Sequence, residues 1–126
     1  MLRNVAGGKL NGTNSLAVFG NIFVAKDKGI LLFEQGEERS FKINNLPSSF
    51  GVIKSIYYNP SGNYFMALNS NSTRLAQIGL DSDSAIYKKS FALKEDAKIS
   101  SFALDQKTSQ IFINSGNKII SFNLAK

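Results

Sequence analysis

The sequence predicts an all-β domain of antiparallel four-stranded units, and three observations carry that prediction. Apolar patterns recur in a fixed register along the 126 residues. Short β-branched and aromatic runs alternate with Asn, Gly, Ser and Asp punctuation. No long segment keeps a 3.6-residue apolar stripe, so strands rather than helices are expected.

The recurrence comes first, because a missed repeat misassigns the fold. Ile22-Phe23-Val24 returns as Ile111-Phe112-Ile113, 89 positions on, and the same offset carries Ile30 onto Ile119 and Phe33 onto Phe122. A middle copy lies between them. Ile53, Ser55 and Ile56 map onto Ile99, Ser101 and Phe102 at an offset of 46, as do Phe65, Met66 and Ala67 onto Ile111, Phe112 and Ile113. After a turn shorter by two residues, Leu75, Ile78 and Leu80 map onto Ile119, Phe122 and Leu124 at 44. The period is about 45 residues, the length of one four-stranded blade of a β-propeller.

The first copy places strands near 14–19, 21–26 and 29–34. Further strands are expected near 39–45, 52–58, 63–69, 73–80, 85–92, 98–104, 109–114 and 117–124. Turn chemistry separates them. Asn59-Pro60-Ser61-Gly62 fixes φ with Pro and frees it with Gly. Ser115-Gly116-Asn117 supplies residues tolerant of positive φ for a tight hairpin, and Asp27-Lys28-Gly29 occupies the equivalent place in the first copy.

Residues 53–68, IKSIYYNPSGNYFMAL, resemble the WD-repeat segment that reads apolar strand, S-P-D-G turn, apolar strand. Residues 77–81 (QIGLD) and 121–125 (SFNLA) resemble that family's third strand. The chain has no Trp, no W-D dipeptide and no G-H pair, so the resemblance is to a degenerate WD-repeat-like β-propeller. It implies repeats that begin with the outer strand of one blade and continue with three strands of the next. Arg39-Ser40-Phe41-Lys42 and Tyr87-Lys88-Lys89-Ser90 then serve as charged outer strands, and Leu2 to Val5 is a weak match for the first. A single repeat domain over 1–126 follows, with repeats near 1–36, 37–82 and 83–126. Propellers use roughly four to eight blades, so three leave the ring unclosed. The rival architecture is a closed β-barrel or sandwich.

Composition narrows the chemistry. Cysteine and histidine are both absent, which excludes disulfides, thiolate sites, His-dependent triads and His-ligated metals within the chain. The net charge of +6 favours acidic partners such as nucleic acid, an anionic membrane or an acidic protein face. Yet Lys dominates, Arg occurs only at 3, 39 and 74, and no basic run forms. Residues 16–25 are apolar but too short to span a bilayer, so no transmembrane segment is expected. A cysteine-free chain without an evident secretion signal fits an intracellular protein of cytoplasm or nucleus. The acid-poor start could open a mitochondrial presequence, but it runs into the repeat.

Each candidate for chemistry reads better as structure. Gly7-Gly8-Lys9 lacks the spacing of a phosphate loop. Glu34, Glu37 and Glu38 flank Gly36 beside Arg39, as a solvated hairpin would. Asp81 and Asp83 lack the later Gly and Glu of a calcium loop. The sequons at Asn11 and Asn71 matter only in a secreted chain. No catalytic residue, cofactor or metal is therefore expected, and the chain is read as a non-enzymatic interaction or scaffold domain. Its partner would be another protein, or further copies of itself (two would give six blades), completing the propeller. The alternative is an RNA- or ribonucleoprotein-associated domain, since Tyr57, Tyr58 and Tyr64 with Lys54 combine aromatics and a cation as base-stacking platforms do. Lys88 and Lys89 complete the candidate surface. Strand alternation allows only one of Tyr57 and Tyr58 to face the core. A sugar-binding propeller would want Trp, and a propeller hydrolase would want clustered axial carboxylates with a metal.

Overall fold

The computed structural model describes residues 13–19, 21–60, 62–81, 84–93 and 98–124. Twelve strands among them form three sheets. The first is an antiparallel meander of β1 (Thr13–Phe19), β2 (Asn21–Lys26), β3 (Gly29–Glu34) and β4 (Glu37–Arg39). The second contains β6 (Ile53–Asn59), β7 (Tyr64–Asn69), β8 (Arg74–Asp81) and β9 (Ser84–Ala92), with β5 (Lys42–Asn44) added parallel to β9. The third holds β10 (Ser101–Asp105), β11 (Gln110–Ser115) and β12 (Lys118–Asn123). A single 3-10 turn, Ser48–Phe50, interrupts the strands among the described residues. Leu2 to Val5 lies outside them.

Alternation along β7 explains how the sheets stack. Successive side chains point to opposite faces, and every residue of this strand is buried. Phe65 and Ala67 enter a core shared with Phe23, Ala25, Ile30 and Leu32 of the first sheet. Tyr64, Met66 and Leu68 enter a second core, shared with Ile111 and Ile113 of the third. The three sheets therefore pack face to face in series, with the second buried on both sides. Separate sheets stacked this way are neither a closed barrel nor a two-sheet sandwich.

Aromatic rings fill the first joint. Phe23 meets Phe65 edge to face at 4.9 Å, Phe41 at 5.7 Å, and stacks with Tyr58 at 6.4 Å. Burying each such ring contributes about 1.5–3 kcal/mol, so this cluster outweighs any exposed ion pair in the molecule. The second joint is held by Phe91 against Phe122 at 4.9 Å and Tyr57 against Phe102 at 6.5 Å.

Backbone bonds repeat with the sheets. The Ile53 N–H donates to the Asp27 carbonyl at 2.8 Å, and the Ile99 N–H donates to the Ser72 carbonyl at 2.6 Å. Each ties the start of one sheet to the second hairpin of the sheet before, and each acceptor is a turn residue with positive φ, 53° at Asp27 and 58° at Ser72. A second pair, Leu80 N–H to Asn63 O and Leu124 N–H to Ser109 O, closes the first hairpins of sheets two and three at 3.0 and 2.8 Å. Both acceptors are again left-handed. The repeat is thus written in the main chain as well as in the apolar pattern.

Two local expectations are corrected. The strand expected near 39–45 is split: β4 ends at Arg39, and Lys42 belongs to β5 on the second sheet. The tight turn at Gln35 and Gly36, both with positive φ, starts β4 at Glu37. Phe41 then turns into the core beside Phe23 and draws the chain off the first sheet. The outer strand of the first sheet is therefore Glu37–Arg39 rather than a run reaching Lys42. The glycine of the 59–62 turn also has a different task. Asn63, not Gly62, takes the left-handed conformation, whereas a Cβ on Gly62 would fall 2.3 Å from the Tyr64 ring.

Asn69 organises the longer second hairpin of the middle sheet. Its Oδ1 accepts the Thr73 and Arg74 N–H groups at 2.9 and 3.0 Å, and its Nδ2 donates to the Phe50 carbonyl at 3.2 Å. It is buried, so removing the amide strands these groups. Asn69→Ala should lower the unfolding free energy by about 2–3 kcal/mol in denaturant titration. Gly62→Ala should cost about 1–3 kcal/mol, because the buried Tyr64 ring must move.

Candidate interaction surface

The six residues singled out from sequence lie in three places. Tyr58 on β6 points into the first joint, where it is buried and its hydroxyl donates to Asn63 Oδ1. Tyr57, the next residue, faces the other way and is 40% exposed; its hydroxyl accepts from Gln106 Nε2 at 3.4 Å. Tyr64 is buried in the second joint. Lys54 is exposed and donates to Ser72 Oγ at 3.1 Å. Lys88 and Lys89 sit on β9, separated from β6 by two intervening strands of the same sheet. Lys89 Nζ donates to the Leu124 carbonyl at 2.8 Å and lies 5.8 Å from the Phe91 ring centre. Tyr64 and Lys88 share a cleft of about 370 Å³ with Gln77 and Asp81 on its wall.

Among the described residues no three His, Cys, Asp or Glu side chains gather where they could hold a metal ion. Arg39 spans Glu34 at 3.5 Å and Glu37 at 3.3 Å across the exposed β3–β4 turn, so the acidic cluster is internally paired. A cleft of about 420 Å³ beside the Asp27–Lys28 turn has an apolar floor of Ile30, Phe41, Ile43 and Leu46. No helix among the described residues is long and apolar enough to cross a membrane.

The surface that sequence inspection passed over is the outer face of the third sheet. Ala103, Phe112 and Ile119 form a diagonal row on this face: Phe112 pairs with Ala103 on one side and Ser121 on the other, and Ile119 pairs with Asn114. Phe112 is 36% exposed and Ile119 76% exposed, and together with Ser101 and Asn114 they line a shallow apolar depression. By the strand pairing, the same row is Tyr57-Met66-Leu75 in the second sheet and Ala17-Phe23-Ile30 in the first. In the first two sheets this row packs against the next sheet. In the third it faces outward. The signal was present in the recurrence of Phe23 as Phe112 and Ile30 as Ile119, but periodicity names a position without saying whether it is covered.

Against solved structures, the chain matches the β-propeller domain of Cps50 (Swd1) from Myceliophteria thermophila with a TM-score of 0.69 at 11% identity. The match covers 90% of this chain. The fold is that of an unclosed β-propeller. The chain spans 38% of the length of the propeller it matches. No family model matches the sequence, and no curated protein does. The three sheets are therefore blades, two complete and one of three strands among the described residues.

Burial pushes the Tyr58 hydroxyl above the ordinary phenol value of 10.0. The folded protein thus favours the neutral phenol more than the unfolded chain does. Its contribution is complete below pH 10.0 and declines as the pH rises past that value. Thermal unfolding followed by circular dichroism should show the melting temperature falling above that pH. The fall should be shallower in Tyr58→Phe, which has no phenol to ionise.

Proposed function

We propose that the chain is a non-catalytic protein–protein interaction domain, a degenerate WD-repeat-type propeller segment that contributes blades to a larger assembly. The observation that carries this reading is the outward row Ala103-Phe112-Ile119, whose counterparts in the other two blades are packed between sheets. A contiguous apolar face of this kind marks an association site. The open edge of β12, which pairs only with β11 among the described residues, adds a second place for a partner strand. The absence of cysteine agrees with action in a reducing compartment, cytoplasm or nucleus. Purified alone, the chain should self-associate or bind a hydrophobic dye at this face. A stable, monodisperse monomer that binds neither dye nor protein would overturn the reading.

Association with RNA is the second reading, favoured by the net charge of +6 and the exposed Lys54, Lys88 and Tyr57. Affinity for single-stranded RNA should then fall steeply as salt rises, because phosphate contacts release counterions. Affinity that stays flat across the salt series would sink it.

A further inference from the structure

We propose that the cleft beside the Asp27–Lys28 turn docks an acidic peptide segment of another protein. A bulky apolar side chain of that segment would lie on the cleft floor, with carboxylates against the lysines at the mouth. The inference rests on the interaction-domain reading and adds to it a second surface with a partner of defined chemistry.

Strand direction sorts the charges between the two ends of the blades. The β2–β3, β7–β8 and β11–β12 hairpins all turn at one end, where β6 and β10 also begin. The bonds from the Ile53 N–H to the Asp27 carbonyl and from the Ile99 N–H to the Ser72 carbonyl set neighbouring turns side by side there. Lys26, Lys28, Lys54, Arg74, Lys98 and Lys118 stand at this end, with Asp27 the one carboxylate among the described residues. Glu34, Glu37, Glu38, Asp81 and Asp105 stand at the other, where Arg39 pairs with two of them. Lys54 donates to Ser72 Oγ at 3.1 Å and Lys98 to the Asn71 carbonyl at 3.0 Å, so two cations brace one turn through neutral oxygens. Like charges gathered in this way keep the local potential positive and draw in carboxylates.

The cleft lies at this basic end. Lys26 and Lys28 line it together with Ile30, Phe41, Ile43 and Leu46, around a space of about 420 Å³. Lys28 is exposed, whereas Phe41, Ile43 and Leu46 are half-buried and pack on the first core from the segment between β4 and β6. An apolar floor with cations at its mouth suits an amphipathic acidic segment, since neither a purely acidic nor a purely apolar ligand uses both. RNA suits it less. The basic end carries a single Arg among the described residues, Arg74, where phosphate recognition favours the guanidinium fork. The one ring in the cleft, Phe41, is half-buried against Phe23, where base stacking asks for an open aromatic face. The exposed Tyr57 reaches toward the opposite end, where its hydroxyl meets Gln106 of the β10–β11 turn.

Fluorescence anisotropy of the full chain with a labelled peptide, a central Phe-Leu pair between runs of Glu, tests this. Binding is expected, weakening as salt rises. Lys28→Glu should lower the affinity roughly 5-fold or more. Leu46→Ala, or a peptide with Ser in place of Phe-Leu, should lower it roughly 10-fold. Lys107→Glu, an exposed charge reversal at the opposite end, should leave it unchanged. Lys28 is exposed, so Lys28→Glu decides the matter if Leu46→Ala fails to fold. A Lys107→Glu protein as impaired as Lys28→Glu overturns the site, as does a Ser peptide that binds equally well. Oligouridylate that displaces the peptide and loses affinity in Lys28→Glu overturns it in favour of a nucleic-acid surface. Self-association that Lys28→Glu abolishes overturns it in favour of the acidic end of a second copy. A chain that ignores the peptide, yet binds a hydrophobic dye in a way that depends on Phe112, overturns it while leaving the interaction-domain reading intact.

Discussion

A β-sheet whose strands are apolar on both faces must be covered twice, and the middle blade meets that condition inside the chain. β7 is buried along its whole length because alternate residues enter two different cores. The rest of the architecture follows from this. The first and third blades sit where they do because Phe65 and Ala67 need a cover on one side, and Met66 and Leu68 need one on the other. The same logic then applies to the third blade, which repeats the pattern and leaves Phe112 and Ile119 exposed on the face away from the middle blade. What stabilises the stack from within is therefore the same kind of apolar row that the third blade presents outward.

Much of this was legible in the residues. The recurrence of Ile22-Phe23-Val24 as Ile111-Phe112-Ile113 reports equivalent central strands, β2 and β11, and the structure pairs both in the same way with their neighbours. Strand limits were readable because apolar alternation is short-range and is cut by Gly, Asn and Pro. The break between Arg39 and Lys42 was not readable. It depends on Phe41 finding Phe23, a contact across sheets that no local pattern encodes. Nor does alternation say which of Tyr57 and Tyr58 is inside, only that they differ. The structure turns Tyr58 inward because its face meets the first blade.

The candidate surface was less legible for a related reason. Aromatics beside lysines attract attention in a sequence, yet Tyr58 and Tyr64 are occupied in the joints between blades. Phe112 and Ile119 attract none, because they resemble any core residue of a strand. Their exposure follows from their place on the face of the third blade turned away from the second rather than from their type. Glycine misleads similarly at two turns, where Asp27 and Asn63 take the left-handed conformation instead of the neighbouring Gly29 and Gly62.

The recurring backbone bonds have a consequence for how such a chain can diverge. The group that fastens one blade to the next is a carbonyl, and Asp27 and Ser72 present it equally well. Side-chain identity at these corners is therefore nearly free to drift, provided the residue tolerates a left-handed twist. With no Trp and no His, this polypeptide keeps propeller geometry without a polar side-chain network that needs them. Kinship among such proteins is then preserved in the spacing of main-chain contacts long after the letters have been rewritten.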